Sequence, residues 1–332
     1  MRITKTIGIY LGGIILLGSC ALASLAWGSK NIEFSQAINA LLSSNDTSFA
    51  ALVVRERIPR TIFSIIAGAS LGVSGAIMQS ITRNPIADPS ILGVNTGASL
   101  FIVIGMAFFN INSPYQYIWL ALAGASVTSV IVYFIASIGN GGMTPIKLAL
   151  AGAATSAVLS SLVSAIILPR SDVMDTFRFW QVGSVSGATW ESIHLILPFT
   201  IIGLAISIAS TPALNVLALG DDVATGLGVN IGIIRIICAI AGVILSGATT
   251  AIAGPIGFVG LMIPHSIRII FGSKLRSIVP MSAICGASLL IISDVLGRVI
   301  GSPGEIQVGI VTAFLGAPIL IIIARKAKVR AI

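Results

Sequence analysis

The chain has 332 residues, of which 56% are hydrophobic and 9% charged, and its mean hydropathy is +1.04. Those figures exclude a water-soluble globular domain and define a polytopic membrane protein. A formal charge of +8 does not signal nucleic-acid binding here, because the basic residues are scattered singly through short loops.

Arg2 and Lys5 precede the first apolar run, Ile7 to Trp27, which is too long for a signal peptide and lacks a small-residue cleavage site, so it reads as an uncleaved span. Thr61 to Thr82 is charge-free and long enough, at about 1.5 Å per residue, to cross a hydrocarbon layer of roughly 30 Å. Gly68, Gly72 and Gly75 share one side of it, where a neighbouring backbone can approach closely. The turn that follows, RNPIADP at Arg83 to Pro89, cannot be helical throughout, since each proline pushes its predecessor towards an extended backbone. Further spans follow at Ile91 to Phe109, Ile118 to Ile138, Leu148 to Leu168, Ile193 to Ser210, Ile231 to Ala253, Pro255 to Phe271, Ile278 to Leu296 and Ile306 to Ala324. The Pro255 span is short and proline-bounded, and reads as tilted or partly re-entrant. The expected fold is therefore an all-α membrane protein of about ten transmembrane helices in a single domain covering 1–332.

Lysine and arginine set the orientation. With both termini in the cytoplasm, Arg2, Lys5, Arg83, Lys147, Arg235, Arg268, Lys274, Arg276, Arg325, Lys326, Lys328 and Arg330 lie inside, and fewer, Lys30, Arg55, Arg57, Arg60, Arg170, Arg178 and Arg298, lie outside. The outer set is still larger than orientation alone favours. Internal repetition is visible between Ser74 to Val94 and Ser246 to Pro264, which matches the second span to the seventh. The second copy starts five spans after the first, an odd number, so halves 61–168 and 231–324 would cross in opposite directions, the inverted repeat of many transporters. The linking helix 193–210 and the loop 211–230 stand between them.

Two polar connections carry expectations of their own. Ser171 to Gly187, with Phe177, Phe179 and Trp180, suits a short interfacial helix. Thr211 to Asn230 has apolar residues at Leu217, Leu219, Val223, Ala224 and Leu227, and glycines that divide it into two short helices. An apolar cytoplasmic loop too short to cross a membrane is a docking surface for another protein. Cys20, Cys238 and Cys285 all fall in apolar spans without metal-site spacing, and read as packing residues. His194 and His265 have no neighbouring carboxylates, which fits capping or interfacial roles better than catalysis. The middle of each span is free of charge, with Gln79 the most polar side chain well inside the second, and Asp294 and Glu305 sit at span ends. A proton-coupled carrier, the reading from a different class, would hold ionisable groups at mid-depth. No nucleotide-cradling G-x-x-x-x-G-K-[ST] loop is present either, so a separate ATPase docked on 211–230 would have to supply the energy.

Motifs along the whole chain resemble the permease subunits of the iron-chelate and cobalamin family of ABC importers, the type II importers. They are R-x-P-R at Arg57 to Arg60, Gly68 to Gln79 with RNPIADP, L-G-V-N-x-G-A at Leu92 to Ala98, L-A-G at Leu150 to Gly152, FWQVGS at Phe179 to Ser184, LGDDVATGLG at Leu219 to Gly228, GPIGFVGLMIPHSIR at Gly254 to Arg268, DVLGRVI at Asp294 to Ile300 and FLGAPI at Phe314 to Ile319. The resemblance implies a second permease subunit, same or homologous, two cytoplasmic ATPase subunits that use ATP and Mg, an external substrate-binding protein and no cofactor on this chain. It implies that Arg57, Arg60 and Arg298 dock the binding protein. Leu219, Gly220, Asp221, Asp222, Ala224, Leu227 and Gly228 would couple to the ATPase, and Asn84 and Ile86 would form a cytoplasmic gate. A second gate element falls at Thr144 to Ile146, where Pro145 departs from the family's small hydroxylated residues. The substrate implied is a ferric siderophore, with haem and cobalamin as the alternatives, and the setting is a bacterial plasma membrane.

Overall fold

The structure, a computed structural model, describes residues 3–43, 46–111, 113–139, 144–272 and 274–326. Among these there is no strand. Ten apolar helices make up the bundle, seven of them long enough to cross a membrane and three shorter. They include α1 (Ile3–Ala26), α3 (Phe49–Thr82), α4 (Val94–Phe109), α5 (Pro114–Ser137), α6 (Pro145–Ile167) and α8 (Trp190–Leu217). The remainder are α10 (Ile231–Ala253), α11 (Val259–Phe271), α12 (Leu275–Ile300) and α13 (Val308–Lys326). Three further helices, α2 (Phe34–Leu42), α7 (Ser171–Val182) and α9 (Asp221–Gly226), lie between them.

At the centre stands α3, which packs on α12, α10, α11 and α8. Its glycines explain how four neighbours fit. A Cβ at Gly68 would strike the Gly286 carbonyl of α12, one at Gly72 the Ser282 carbonyl, and one at Gly75 the Gly260 carbonyl of α11. Helix backbones therefore meet directly, with van der Waals contact replacing the hydrophobic drive that lipid cannot supply.

The neighbours repeat under one exchange. Replacing α3, α4, α5 and α6 by α10, α11, α12 and α13 turns the contacts α3 with α12, α4 with α5, α4 with α6 and α5 with α6 into α10 with α5, α11 with α12, α11 with α13 and α12 with α13, all of which are present. The end of α3 lies beside the start of α10, because Arg83 and Arg235 reach the same aspartate. The two halves thus run antiparallel. In both, a broken connection follows the first helix: a loop and a 3₁₀ turn at Pro89–Leu92 after α3, and Gly254 to Phe258 after α10. With 13 residues, α11 is about 20 Å long, short of a full crossing.

Several boundaries move. The 34 residues of α3 start at Phe49, capped by the Ser48 hydroxyl on the Ala51 N–H at 3.3 Å, and run through the charged RERIPR segment and Pro59. At about 51 Å the helix exceeds the bilayer, so its charged first turns can stand clear of lipid. Likewise α8 continues through Pro212 to Leu217, while the hydroxyls of Ser207 and Thr211 bond back to the Gly203 and Ser207 carbonyls. The loop expected to hold two short helices therefore holds one, α9. Phe177 is buried and the Trp180 indole donates to the Ala251 carbonyl at 3.2 Å, so α7 caps the end of α10, while Phe179 stays 74% exposed. Arg2, Lys328 and Arg330, counted among the inner cations, fall outside the described residues.

Gly75→Leu should cost about 3 kcal/mol or more, because backbone cannot rotate out of the way of the new side chain. Gly12→Leu, whose Cβ meets nothing within 4 Å, should be tolerated. Thermal unfolding of the purified variants in detergent checks the contrast.

Candidate functional site

Charge gathers at the two ends of the bundle. At one end α1 stops at Ala26, and its last carbonyls have no partner within the helix. Arg57 supplies them: its Nη1 donates to the carbonyls of Leu25 (2.9 Å) and Ala26 (3.1 Å), and its Nη2 to that of Lys30 (2.6 Å). Arg298 does the same one residue earlier, giving Nη1 to the Ser24 carbonyl at 3.1 Å and Nη2 to the Ser24 hydroxyl at 2.9 Å. Two cations at the negative end of a helix dipole are favourably placed. Asp294 balances them, accepting from Arg298 at 3.1 Å and from Arg60 at 2.6 Å, while Arg60 also holds Glu305 at 2.9 Å. The network thus joins α1, α3, α12 and the α12–α13 connection.

This arrangement turns the expected docking residues Arg57 and Arg298 inward. They are only 7% and 2% exposed, turned inward by carbonyls that need donors, and as they stand neither is open to an outside carboxylate. Arg60 is nearer the rim but already pairs with two acids. Proximity to the end of α1, which spacing alone did not reveal, is what decides their orientation.

At the other end α3 stops on Arg83, whose left-handed backbone (φ 50°) turns the chain into the RNPIADP loop. Asn84 Oδ1 accepts from the Ile86 N–H at 3.1 Å, and the Ile86 side chain is exposed. Asp88 caps the 3₁₀ turn through the Ser90 N–H at 2.7 Å; burial raises its carboxyl above the ordinary value, against the bonds from Ser90 that lower it. His265 of α11 has a buried Nδ1, and Arg268 donates to the Ser80 hydroxyl at 2.8 Å. Gln79 donates to the Leu261 carbonyl at 3.0 Å, which fixes α3 to the start of α11. At α6, Thr144 caps the helix through the Lys147 N–H and Pro145 occupies its first turn.

The 219–228 segment is a projection with a buried root. Ala224 is fully buried, and its carbonyl accepts from the Val229 N–H at 3.0 Å. Gly220 and Gly228 take φ of 125° and 81°, where a side chain would be strained. Leu219, Val223 and Leu227, four residues apart, point outward at 66%, 46% and 62% exposure, with Asp222 exposed beside them. Asp221 turns the other way, towards Arg83 (2.6 Å) and Arg235 (3.2 Å). Sequence reasoning placed Asp221 with the docking residues and missed Arg83 and Arg235, which lie far from it along the chain.

Antiparallel halves around a glycine-packed centre, broken helices after the first span of each and ionic clusters confined to the two ends define a membrane transport protein. The chain belongs to the FecCD transport family, whose model matches residues 15–326. It is 43% identical over 305 residues to the Fe(3+)-citrate import system permease protein YfmD of Bacillus subtilis, covering 92% of this chain and 90% of that one. It is 41% identical over 325 residues to the ferric enterobactin transport system permease protein FepD of Escherichia coli, covering 98% and 97%. A solved inward-facing structure assigned to the metal-chelate type of ABC transporter superposes with a TM-score of 0.84 at 27% identity, covering 97% of this chain and 99% of the other.

Asp294→Asn should cost about 3 kcal/mol, because it leaves the buried Arg298 guanidinium without its only carboxylate partner among the described residues. Glu305→Gln, at the exposed rim, should cost under about 1 kcal/mol. Thermal midpoints in detergent separate the two.

Proposed function

We propose that the chain is the transmembrane permease subunit of an ATP-driven importer that passes a ferric siderophore from an external binding protein to the cytoplasm of a bacterial cell. One observation carries the reading: an apolar projection, Leu219, Val223 and Leu227 on a buried root, stands at the end of a bundle whose sequence has no nucleotide-binding loop of its own. Exposed aliphatic residues on a rigid knob suit a cleft in a separate ATPase, which would use ATP and Mg. The Fe(3+)-citrate and ferric enterobactin permeases among the relatives support the substrate class, ahead of haem and cobalamin. A proton-coupled carrier is disfavoured, because ionic groups gather at the ends and not at mid-depth.

The Asp221 end then faces the cytoplasm with both termini, and the Arg298 end faces the binding protein. Partner glutamates would reach Arg57, Arg60 and Arg298 only by displacing Asp294, Glu305 and the carbonyls of α1, an exchange of equivalent partners. The second permease subunit would seat near α6, which exposes the small residues Ala153, Ala157 and Ser161 at helical spacing. Ile86, at 51% exposure, and Asn84 would form the cytoplasmic gate. ATP would shift the population between inward- and outward-facing states by binding them unequally.

In a strain lacking this chain, uptake of radiolabelled ferric siderophore should fall to background while haem and cobalamin uptake persist. Unchanged siderophore uptake, or loss of haem or cobalamin uptake instead, would overturn the substrate. Leu227→Asp should reduce the ATPase that co-purifies with the permease about tenfold, since a charge replaces an anchor in an apolar cleft; undiminished co-purification would remove the knob from the interface.

A further inference from the structure

We infer that Asp221 and Arg83 form the link by which the 219–228 projection moves the loop that carries Asn84 and Ile86. This rests on the proposed function, in which the projection receives the ATPase. Asp221 is the first residue of α9 and the acid of that helix that turns inward, whereas Asp222 is exposed. Its Oδ1 accepts from Arg83 Nη2 at 2.6 Å, and the same nitrogen donates to the Leu217 carbonyl at 2.7 Å. Arg83 is therefore held to the end of α8 and to the start of α9 at once.

What Arg83 carries makes the contact useful. It is the cap of α3, and the next residues are Asn84, Pro85 and Ile86. The left-handed turn at Arg83 is where rigid helix gives way to loop, so a pull on its side chain acts on the hinge and not on the packed helix. The loop is anchored on its far side by Ala87, which is fully buried. Displacement at Arg83 thus leaves Ile86 as the member free to swing.

Arg235 distinguishes this from a general charge cluster. It belongs to α10, pairs with the same carboxylate at 3.2 Å, and has no contact with the loop in the ion-pair network. It positions Asp221; Arg83 transmits. Both partners of the Arg83 pair are partly exposed, at 38% and 45%, so the pair can part and re-form as the projection moves, which a buried pair would resist. Asp221 and Arg83 are positioning residues that touch no substrate.

The test uses the full importer, permease with ATPase and binding protein, in proteoliposomes with ferric siderophore, reading siderophore transported per ATP hydrolysed. Arg83→Gln and Asp221→Asn should each lower that ratio about fivefold, the size of a modest coupling between sites, with ATPase co-purification unchanged. The double variant should be no worse than either single one. Arg83→Lys should recover most of the ratio, because Arg83 uses one nitrogen for both contacts and an ammonium can do the same. Arg235→Gln should leave the ratio within about twofold of the wild type. An unchanged ratio in Arg83→Gln, or single effects that multiply in the double variant, would overturn the link.

A second reading does not depend on turnover. In Ile86→Cys the new thiol should change its labelling rate with a hydrophilic thiol reagent when ATP is added, and Arg83→Gln in the same background should abolish that change. Persistence of the ATP response in Arg83→Gln would also overturn the link. A wild-type complex that moves no siderophore would instead count against the proposed function, and the labelling experiment would still decide the link.

Discussion

Direct contact between the backbone of α3 and those of α12 and α11 is the constraint on which the rest depends. In lipid, apolar side chains gain nothing by leaving their neighbours, so a bundle holds together where dispersion contacts are densest. Gly68, Gly72 and Gly75 face Gly286, Ser282 and Gly260 closely enough that any added carbon would collide with a carbonyl. This fixes the rotation and depth of α3 against the opposite half, and with it the place of every charge at its ends. Arg57 reaches the end of α1, and Arg83 the start of α9, because the helix between them has no freedom to slide.

Both ends use arginine in the same way. A helix that stops leaves carbonyls without donors, and a guanidinium from another element supplies them while a nearby carboxylate takes up the charge. Arg57 and Arg298 do this for α1, and Arg83 does it for α8 through Leu217. Burial separates the two cases. Arg298 and Asp294 are both 3% exposed at the side chain, whereas Arg83 and Asp221 are 38% and 45% exposed. A buried cluster gives up a partner only against an incoming group that replaces it, because an orphaned charge there is costly; an exposed one can part and re-form with little loss.

Much of the architecture was legible in the sequence because lipid imposes a simple rule on backbone polar groups and because glycine spacing reports close approach. The spans, the repeat and the proline-broken turn at Arg83 to Pro89 could be read that way. The ends of α3 and α8 could not. Charge and proline at RERIPR and at Thr211-Pro212 look like helix ends, yet helix persists where it emerges from lipid or where hydroxyls mend the turn. Side-chain direction was also hidden. Family motifs mark Arg57, Arg298 and Asp221 as residues of interest, but which way each turns depends on carbonyls and cations from elements 14 to 274 positions away.

Asp221 shows what that long-range information adds. From its neighbours it is one of two adjacent acids on a docking loop, with no reason to differ from Asp222. In the fold, the one faces Arg83 and Arg235 while the other faces out. A helix of only six residues, α9, has little stability of its own and takes its position from the groups that hold it: Ala224 in the core, and Asp221 on two arginines from opposite halves of the repeat. A force on the exposed side of such a helix is felt first where those anchors meet the rest of the chain. One anchor is packing, which yields little; the other is an exchangeable ion pair attached to the hinge at Arg83, which yields in a defined direction.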